Sequence, residues 1–362
     1  MIDLRVPVEP LPISEPLVIR LQDANAASEH DAVLIDRTED RREYDYRGFS
    51  VVVGSPASAD LHGDVLMLLP GKQSAHRLIR AGSNHNTFLL TEQCDQLCVM
   101  CSQPPKKYHS DLFDQFAIAA SLAPQNAYLG LSGGEPLLHK GRLFEFLSRS
   151  VKLRPDLKFH ILTNGQHITE EDADFLSALG GEKVLWGIPL YAPEPELHDH
   201  LVGKPGAFRR LERSLAIYAR AGAAIELRTV VMKQNNSSLP ALSDYVHAKL
   251  PFIQHWALMQ LENIGFGRMN WERCFIDTST DFGTVGIALN RALARGIEVS
   301  LFNFPLCTVP HPYRHLAPST ISDWKRKFLP ECSGCPLAAT CGGFFEWYSR
   351  ERGFMRVGLS ET

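Results

Sequence analysis

The stretch Thr91-Glu92-Gln93-Cys94-Asp95-Gln96-Leu97-Cys98-Val99-Met100-Cys101-Ser102-Gln103-Pro104-Pro105 decides the fold. It places C-x3-C-x2-C directly after an apolar, strand-like run at 87–91. Beyond it, strand-like runs at 127–131, 158–162, 184–190, 225–232 and 255–261 alternate with helix-period segments at 111–123, 141–150, 170–179, 207–221 and 239–249. That alternation predicts βα units around a parallel sheet. Six repeats predict an α/β fold with a partial (βα)6 TIM-like barrel, short of a closed eight-fold one. In such barrels chemistry gathers in the loops after the strands, where the three cysteines fall.

The rest of the chain divides around this core. Residues 1–84 mix short alternating segments with turn residues such as Gly54, Ser55 and Pro56, and predict a small β-rich extension. The core runs over 85–265, and 266–303 reads as a connecting helix and strand. Residues 304–362 have little periodicity and carry four cysteines, the pattern of a small fold organised by metal. With 362 residues and 44% hydrophobic content the chain can bury a large core. A net charge of −4 removes any global pull toward DNA or an anionic membrane. The chain shows no membrane-length apolar run and no secretory signal, and is expected to be cytoplasmic.

Eight cysteines at 94, 98, 101, 274, 307, 332, 335 and 341 form two groups and one outlier. Clustering in a chain with no export signal points to metal ligation over disulfides. Three thiolates on one loop can each bind one iron of a [4Fe–4S] cluster, leaving the fourth iron open for chemistry. Zinc would require a fourth ligand, and His109 is the only histidine close downstream. Ferredoxin-type electron transfer normally takes four cysteines per cluster. Cys307, Cys332, Cys335 and Cys341 would suffice for a closed iron–sulfur cluster or for structural zinc. Cys274 reads as a core thiol.

A second motif, Ser132-Gly133-Gly134-Glu135-Pro136, follows the second candidate strand. Adjacent glycines let backbone approach a ligand, and Glu135 supplies an acceptor for an ammonium group. Thr163-Asn164-Gly165 ends the third strand, as a cofactor contact or an ordinary turn. Glu226 and Arg228 share one face of the fifth strand, and Glu262 follows the sixth, offering a carboxylate clamp or a substrate contact. His198, His200 and Lys204 follow the fourth strand, where a helix-capping turn is the plainer reading.

The cysteine spacing followed one βα unit later by Gly133-Gly134-Glu135-Pro136 resembles the radical S-adenosylmethionine (radical SAM) superfamily. The resemblance implies that S-adenosylmethionine binds the open iron through its amino and carboxylate groups. Reductive cleavage would then give methionine and a 5′-deoxyadenosyl radical that takes hydrogen from a substrate. It further implies cofactor contacts from Met100, Ser132, Gly133, Gly134, Glu135, Pro136, Thr163, Asn164 and Arg228. Met100 stands where many members have an aromatic residue, and its thioether can fill similar space beside the nucleoside. No residue is assigned to the later chemistry.

The C-terminal spacing resembles the abbreviated auxiliary [4Fe–4S] domain of radical SAM enzymes that act on peptides. Residues 80–107, the Leu190-Tyr191-Ala192-Pro193 region and the Cys332-Ser333-Gly334-Cys335 tail resemble the His-Xaa-Ser system maturases of the HxsC type. That implies a ribosomally made partner carrying His-Xaa-Ser repeats, a second radical SAM maturase, and an electron donor such as flavodoxin or ferredoxin. The residues alone also accommodate a small-molecule or RNA substrate, or a non-catalytic iron–sulfur scaffold serving a second maturase.

Overall fold

In the computed structural model, residues 4–56 and 58–358 are described. The N-terminal strands are β1 (Arg5–Pro7), β2 (Leu17–Gln22), β3 (Asp31–Arg37), β4 (Arg41–Tyr46), β5 (Phe49–Gly54), β6 (Val65–Leu68) and β7 (Ser74–Ile79). They form one sheet in the order β1-β7-β6-β2-β3-β4-β5. A bridge between Val8 and Val53 joins its two ends, so the sheet curls into a small barrel without an open edge. Ile19, Leu21, Tyr44, Val51, Val53, Leu66 and Leu68 fill its core. The extension expected from the sequence is thus β-structured. Strand β4 was not legible because its sequence, Arg-Arg-Glu-Tyr-Asp-Tyr, is nearly all polar. Its Arg42 is nevertheless fully buried and donates to Ser55 Oγ at 2.7 Å.

The second sheet contains β8 (Asn86–Thr91), β9 (Tyr128–Gly133), β10 (Lys158–Leu162), β11 (Val184–Pro189), β12 (Ala224–Val231), β13 (His255–Gln260) and β14 (Val299–Phe302). Its order is β14-β13-β12-β11-β10-β9-β8, with every pair parallel. The six expected strands are all present, and a seventh joins them at the β13 edge. The run near 297–302 pairs with β13 through Trp256↔Val299 and its successors, and extends the barrel wall. Its four residues are too short to announce a barrel strand by periodicity.

Helices α1 (Phe113–Ser121), α2 (Lys140–Leu153), α3 (Ala173–Leu179), α4 (Pro195–Val202), α5 (Ala207–Arg220), α6 (Leu239–Lys249), α7 (Gly265–Met269), α8 (Trp271–Cys274) and α9 (Gly283–Ala294) occupy the connections. On β12 the alternation places Ile225, Leu227 and Val231 in the main core. Glu226 and Arg228 accordingly face the barrel lumen. After β14 the chain runs through short turns and a two-residue ladder, β15 (Arg326–Lys327) against β16 (Phe344–Phe345). Arg80, at the junction of the two barrels, is 5% exposed and grips Asp323 of this C-terminal segment.

Candidate active site at the cysteine loop

The loop after β8 is pinned on all sides. Leu97 N donates to Val202 O at 3.0 Å and Val99 N to Leu201 O at 2.9 Å, which ties the loop to the end of α4. Asn270 Nδ2 donates to Val99 O at 3.0 Å and Phe266 N to Cys101 O at 2.8 Å, which ties it to α7 and the turn after it. The thiols of Cys94, Cys98 and Cys101 lie within mutual electrostatic reach. Burial pushes the Cys94 thiol up to about 11 and raises Cys98 and Cys101 as well. Three neutral, half-shielded thiols on one loop suit a metal cluster, whose positive charge replaces their protons on binding.

The Ser132–Pro136 turn closes directly on this loop. Gly134 N donates to Thr91 O at 2.8 Å and Glu135 N to Gln93 O at 2.7 Å. The glycines are sterically required. A Cβ on Gly133 would stand 2.0 Å from Thr91 O, and one on Gly134 would stand 2.1 Å from Gln93 O. Gly133 also has φ +143°, a conformation that side chains rarely adopt.

Glu135 is held by the protein's own donors. Its side chain is fully buried, and its oxygens are taken by Thr163 Oγ1 (2.6 Å), Leu137 N (2.8 Å) and Asn164 N (2.5 Å). Burial raises this carboxyl above its ordinary range, against the hydrogen bonds that favour the charge. A carboxylate in the interior must be satisfied internally, and this one fastens the turn after β9 to the end of β10. Oε1 accepts two of these bonds and Oε2 only one, so Oε2 keeps acceptor capacity beside the backbone atoms of the motif.

Asn164 extends the network, because its Nδ2 donates to Asp95 Oδ1 at 2.9 Å. Asp95, between the first two cysteines, also meets His167 Nε2 at 3.1 Å and the Lys204 ammonium. Partial burial opposes ionisation of Asp95, but its bonds to His167 and Lys204 hold the carboxyl well below the usual range. Sequence reasoning missed this residue, whose acid next to Cys94 was the only local signal.

Of the other expected contacts, Ser132, Pro136, Thr163 and Asn164 lie around this junction. Met100 is 6% exposed and belongs to the apolar cluster that includes Tyr191, Trp271 and Phe344. Arg228 is paired with Glu226 inside the lumen. Glu262 pairs with Lys325 at 3.0 Å. The His198 to Lys204 region is α4 and its cap: His198 is buried against Tyr191, and Gly203 ends the helix in the left-handed conformation. His109 stacks on His139 at 3.8 Å. Cys274 is a buried core thiol that accepts from Gln234 Nε2.

Cys307, Cys332, Cys335 and Cys341 line a single pocket together with Leu306, Phe328, Leu337 and Phe344. Leu306 N and Gly343 N donate to Cys341 Sγ at 3.4 and 3.3 Å. Backbone N–H donors to sulfur in an apolar pocket are what a thiolate-bound cluster requires. Cys98, Cys307 and Cys332 all pack against the one apolar cluster built on Tyr191, Trp271 and Phe344, which links the two cysteine sets. Among the described residues, no three His, Cys, Asp or Glu side chains are arranged to hold a single metal ion.

The fold and site together define a partial βα barrel with a three-cysteine loop over its strand ends. The radical SAM superfamily profile matches residues 88–246. The chain is similar to the antilisterial bacteriocin subtilosin biosynthesis protein AlbA of Bacillus subtilis, 26% identical over 196 residues that cover 49% of this chain and 42% of that protein. It is 28% identical to an AdoMet-dependent heme synthase of Oleidesulfovibrio alaskensis over 160 residues, 43% of this chain and 39% of that one. Among solved structures, Streptococcus suis SuiB bound to S-adenosylmethionine has a TM-score of 0.49 at 14% identity, covering 59% of this chain and 49% of that one. The chain thus spans less than half the length of the curated relatives it matches. Among the described residues, no helix is long and apolar enough to cross a membrane.

Proposed function

We propose that the chain is a radical SAM enzyme that modifies a ribosomally made peptide or protein. The single observation that carries this reading is the junction of the cysteine loop with the Gly133-Gly134 turn. Three thiols on one pinned loop there meet a turn packed so closely against that loop that only glycine fits at 133 and 134. Cys94, Cys98 and Cys101 would hold a [4Fe–4S] cluster, and Ser132 to Pro136, Thr163 and Asn164 the methionyl end of S-adenosylmethionine. When bound and reduced, this pair supplies a 5′-deoxyadenosyl radical for hydrogen abstraction. The protein's part is positional. Asp95 and Glu135 lock the loop, the turn and the end of β10 into one unit, and a fixed geometry of that kind keeps a reactive species aimed.

Cys307, Cys332, Cys335 and Cys341 are assigned to an auxiliary [4Fe–4S] cluster, with structural zinc as the lesser alternative. The apolar pocket and the N–H donors to Cys341 support that assignment. A peptide substrate is supported by the similarity to AlbA, a bacteriocin biosynthesis protein, and by the resemblance to HxsC-type maturases. On this reading the substrate carries His-Xaa-Ser repeats, a second radical SAM maturase works beside this one, and flavodoxin or ferredoxin delivers electrons in the cytoplasm. Mass spectrometry of a His-Xaa-Ser repeat peptide co-expressed with this chain tests the substrate. A defined mass change absent with Cys94→Ala supports it, and an unchanged peptide in both cultures refutes it.

A further inference from the structure

The lumen of the βα barrel carries a polar row that the cysteine site does not use. Tyr128 on β9 stacks with His160 on β10 at 6.0 Å. His160 Nε2 lies 3.3 Å from Glu226 on β12, His255 Nδ1 on β13 lies 3.6 Å from the same carboxylate, and His255 Nε2 is 3.0 Å from Ser300 Oγ on β14. Arg228, one lumen position nearer the cysteine loop, also pairs with Glu226. The row crosses β11 at Gly187, and the missing side chain makes the crossing feasible. A Cβ there would stand 2.8 Å from His160 Nε2 and 3.1 Å from Arg228 Cδ.

The charges do not balance. One carboxylate faces a guanidinium and two imidazoles, and Lys158, on the same face of β10 as His160, adds an ammonium. Among the described residues Lys158 has no carboxylate partner, and Arg228 makes a single hydrogen bond, to Glu226. The guanidinium also lies over the Phe302 ring at 6.0 Å, and its other N–H donors have no hydrogen-bond partner among the described residues. The lumen is also reachable: Leu89 and Tyr128, which line it from β8 and β9, are 42% and 43% exposed. Fixed cationic donors in a partly desolvated, accessible space favour an anion, and a guanidinium matches a carboxylate geometrically.

We propose that this lumen floor is a substrate subsite, in which Arg228, His160 and His255, braced by Glu226, bind a carboxylate of the molecule being modified. The proposal rests on the reading of the barrel as the reaction chamber of a radical enzyme. A peptide could offer the carboxylate from an acidic side chain or from its chain end.

The test is saturation-transfer NMR on the cluster-loaded protein with N-acetylaspartate N-methylamide, N-acetylasparagine N-methylamide and N-acetylglycine as probes. The expected result is saturable binding of at least one carboxylate probe, with the neutral asparagine probe about fivefold weaker or more. The tighter of the two carboxylates identifies side chain or chain end. Arg228→Gln is expected to lower carboxylate affinity at least fivefold, while Arg228→Lys, which keeps the charge, recovers part of it. His160→Gln provides a second variant should Arg228→Gln fail to fold. Equal binding of acid and amide overturns the proposal. So does loss of probe binding on saturation with S-adenosylmethionine, which would assign the floor to the cofactor's own carboxylate. The readout needs no turnover, so its failure is distinguishable from a failure to make 5′-deoxyadenosine.

Discussion

Asn164 holds Glu135 with its backbone N–H, at 2.5 Å, while its side chain holds Asp95 at 2.9 Å. One residue at the end of β10 thereby couples the Gly-Gly turn to the cysteine loop, alongside the direct bonds from Gly134 and Glu135 to that loop.

Replacing Glu135 tests the coupling from the turn. Glu135→Ala strands the Thr163 hydroxyl and the N–H groups of Leu137 and Asn164 in a buried space, at a cost of about 2–4 kcal/mol. Glu135→Gln keeps one acceptor oxygen and is expected to lose about half as much. Urea unfolding of the two apoprotein variants measures both. Equal stability of Glu135→Ala and the parent chain would contradict the assigned role.

Removing Asp95 tests the coupling from the loop. Asp95→Ala frees Asn164, His167 and Lys204 together, and amides at 94–101 are expected to exchange about tenfold faster, equivalent to roughly 1.4 kcal/mol of local opening. Hydrogen exchange by mass spectrometry checks this, with amides on β12 as the internal reference expected to stay unchanged.

His198 links stability to pH. Burial pulls its imidazole down to about 4, while in the unfolded chain it titrates near about 6.5. The unfolded state therefore binds the proton first as pH falls. The stability from keeping His198 neutral is complete above about pH 6.5, declines below it and is gone near about 4. The loss is of the order of 3 kcal/mol. Urea unfolding of the apoprotein across that range should show His198→Phe with a visibly flatter decline than the parent.

The C-terminal pocket makes a prediction in metal content. With two [4Fe–4S] clusters, the anaerobically reconstituted chain holds about eight irons, and Cys335→Ala lowers this to about four. A zinc site would instead give about four irons in both proteins and lose one zinc on substitution.

How far the sequence could carry the structure depended on the range of the interactions involved. Strand β10 and helix α6 were legible to the residue, because apolar periodicity and flanking turns are local signals. Strand β14 was visible as a run near 297–302, but its place beside β13 depends on a pairing about forty residues away. The closure of the N-terminal barrel through Val8 and Val53 had no local mark at all. At the site, cysteine spacing and the Gly-Gly pair were explicit. The roles of Asp95 and Glu135 depended on Lys204, Thr163 and Asn164, partners that only folding brings near. Glycine at 187 looked like any other residue in a strand until His160 and Arg228 were seen on either side of it.

Radical formation at the cysteine loop is read by incubating the anaerobically reconstituted protein with dithionite and S-adenosylmethionine and quantifying 5′-deoxyadenosine by chromatography. The parent chain is expected to form it and Cys98→Ala to form none. A parent chain that carries its iron yet forms no 5′-deoxyadenosine is not a radical SAM enzyme.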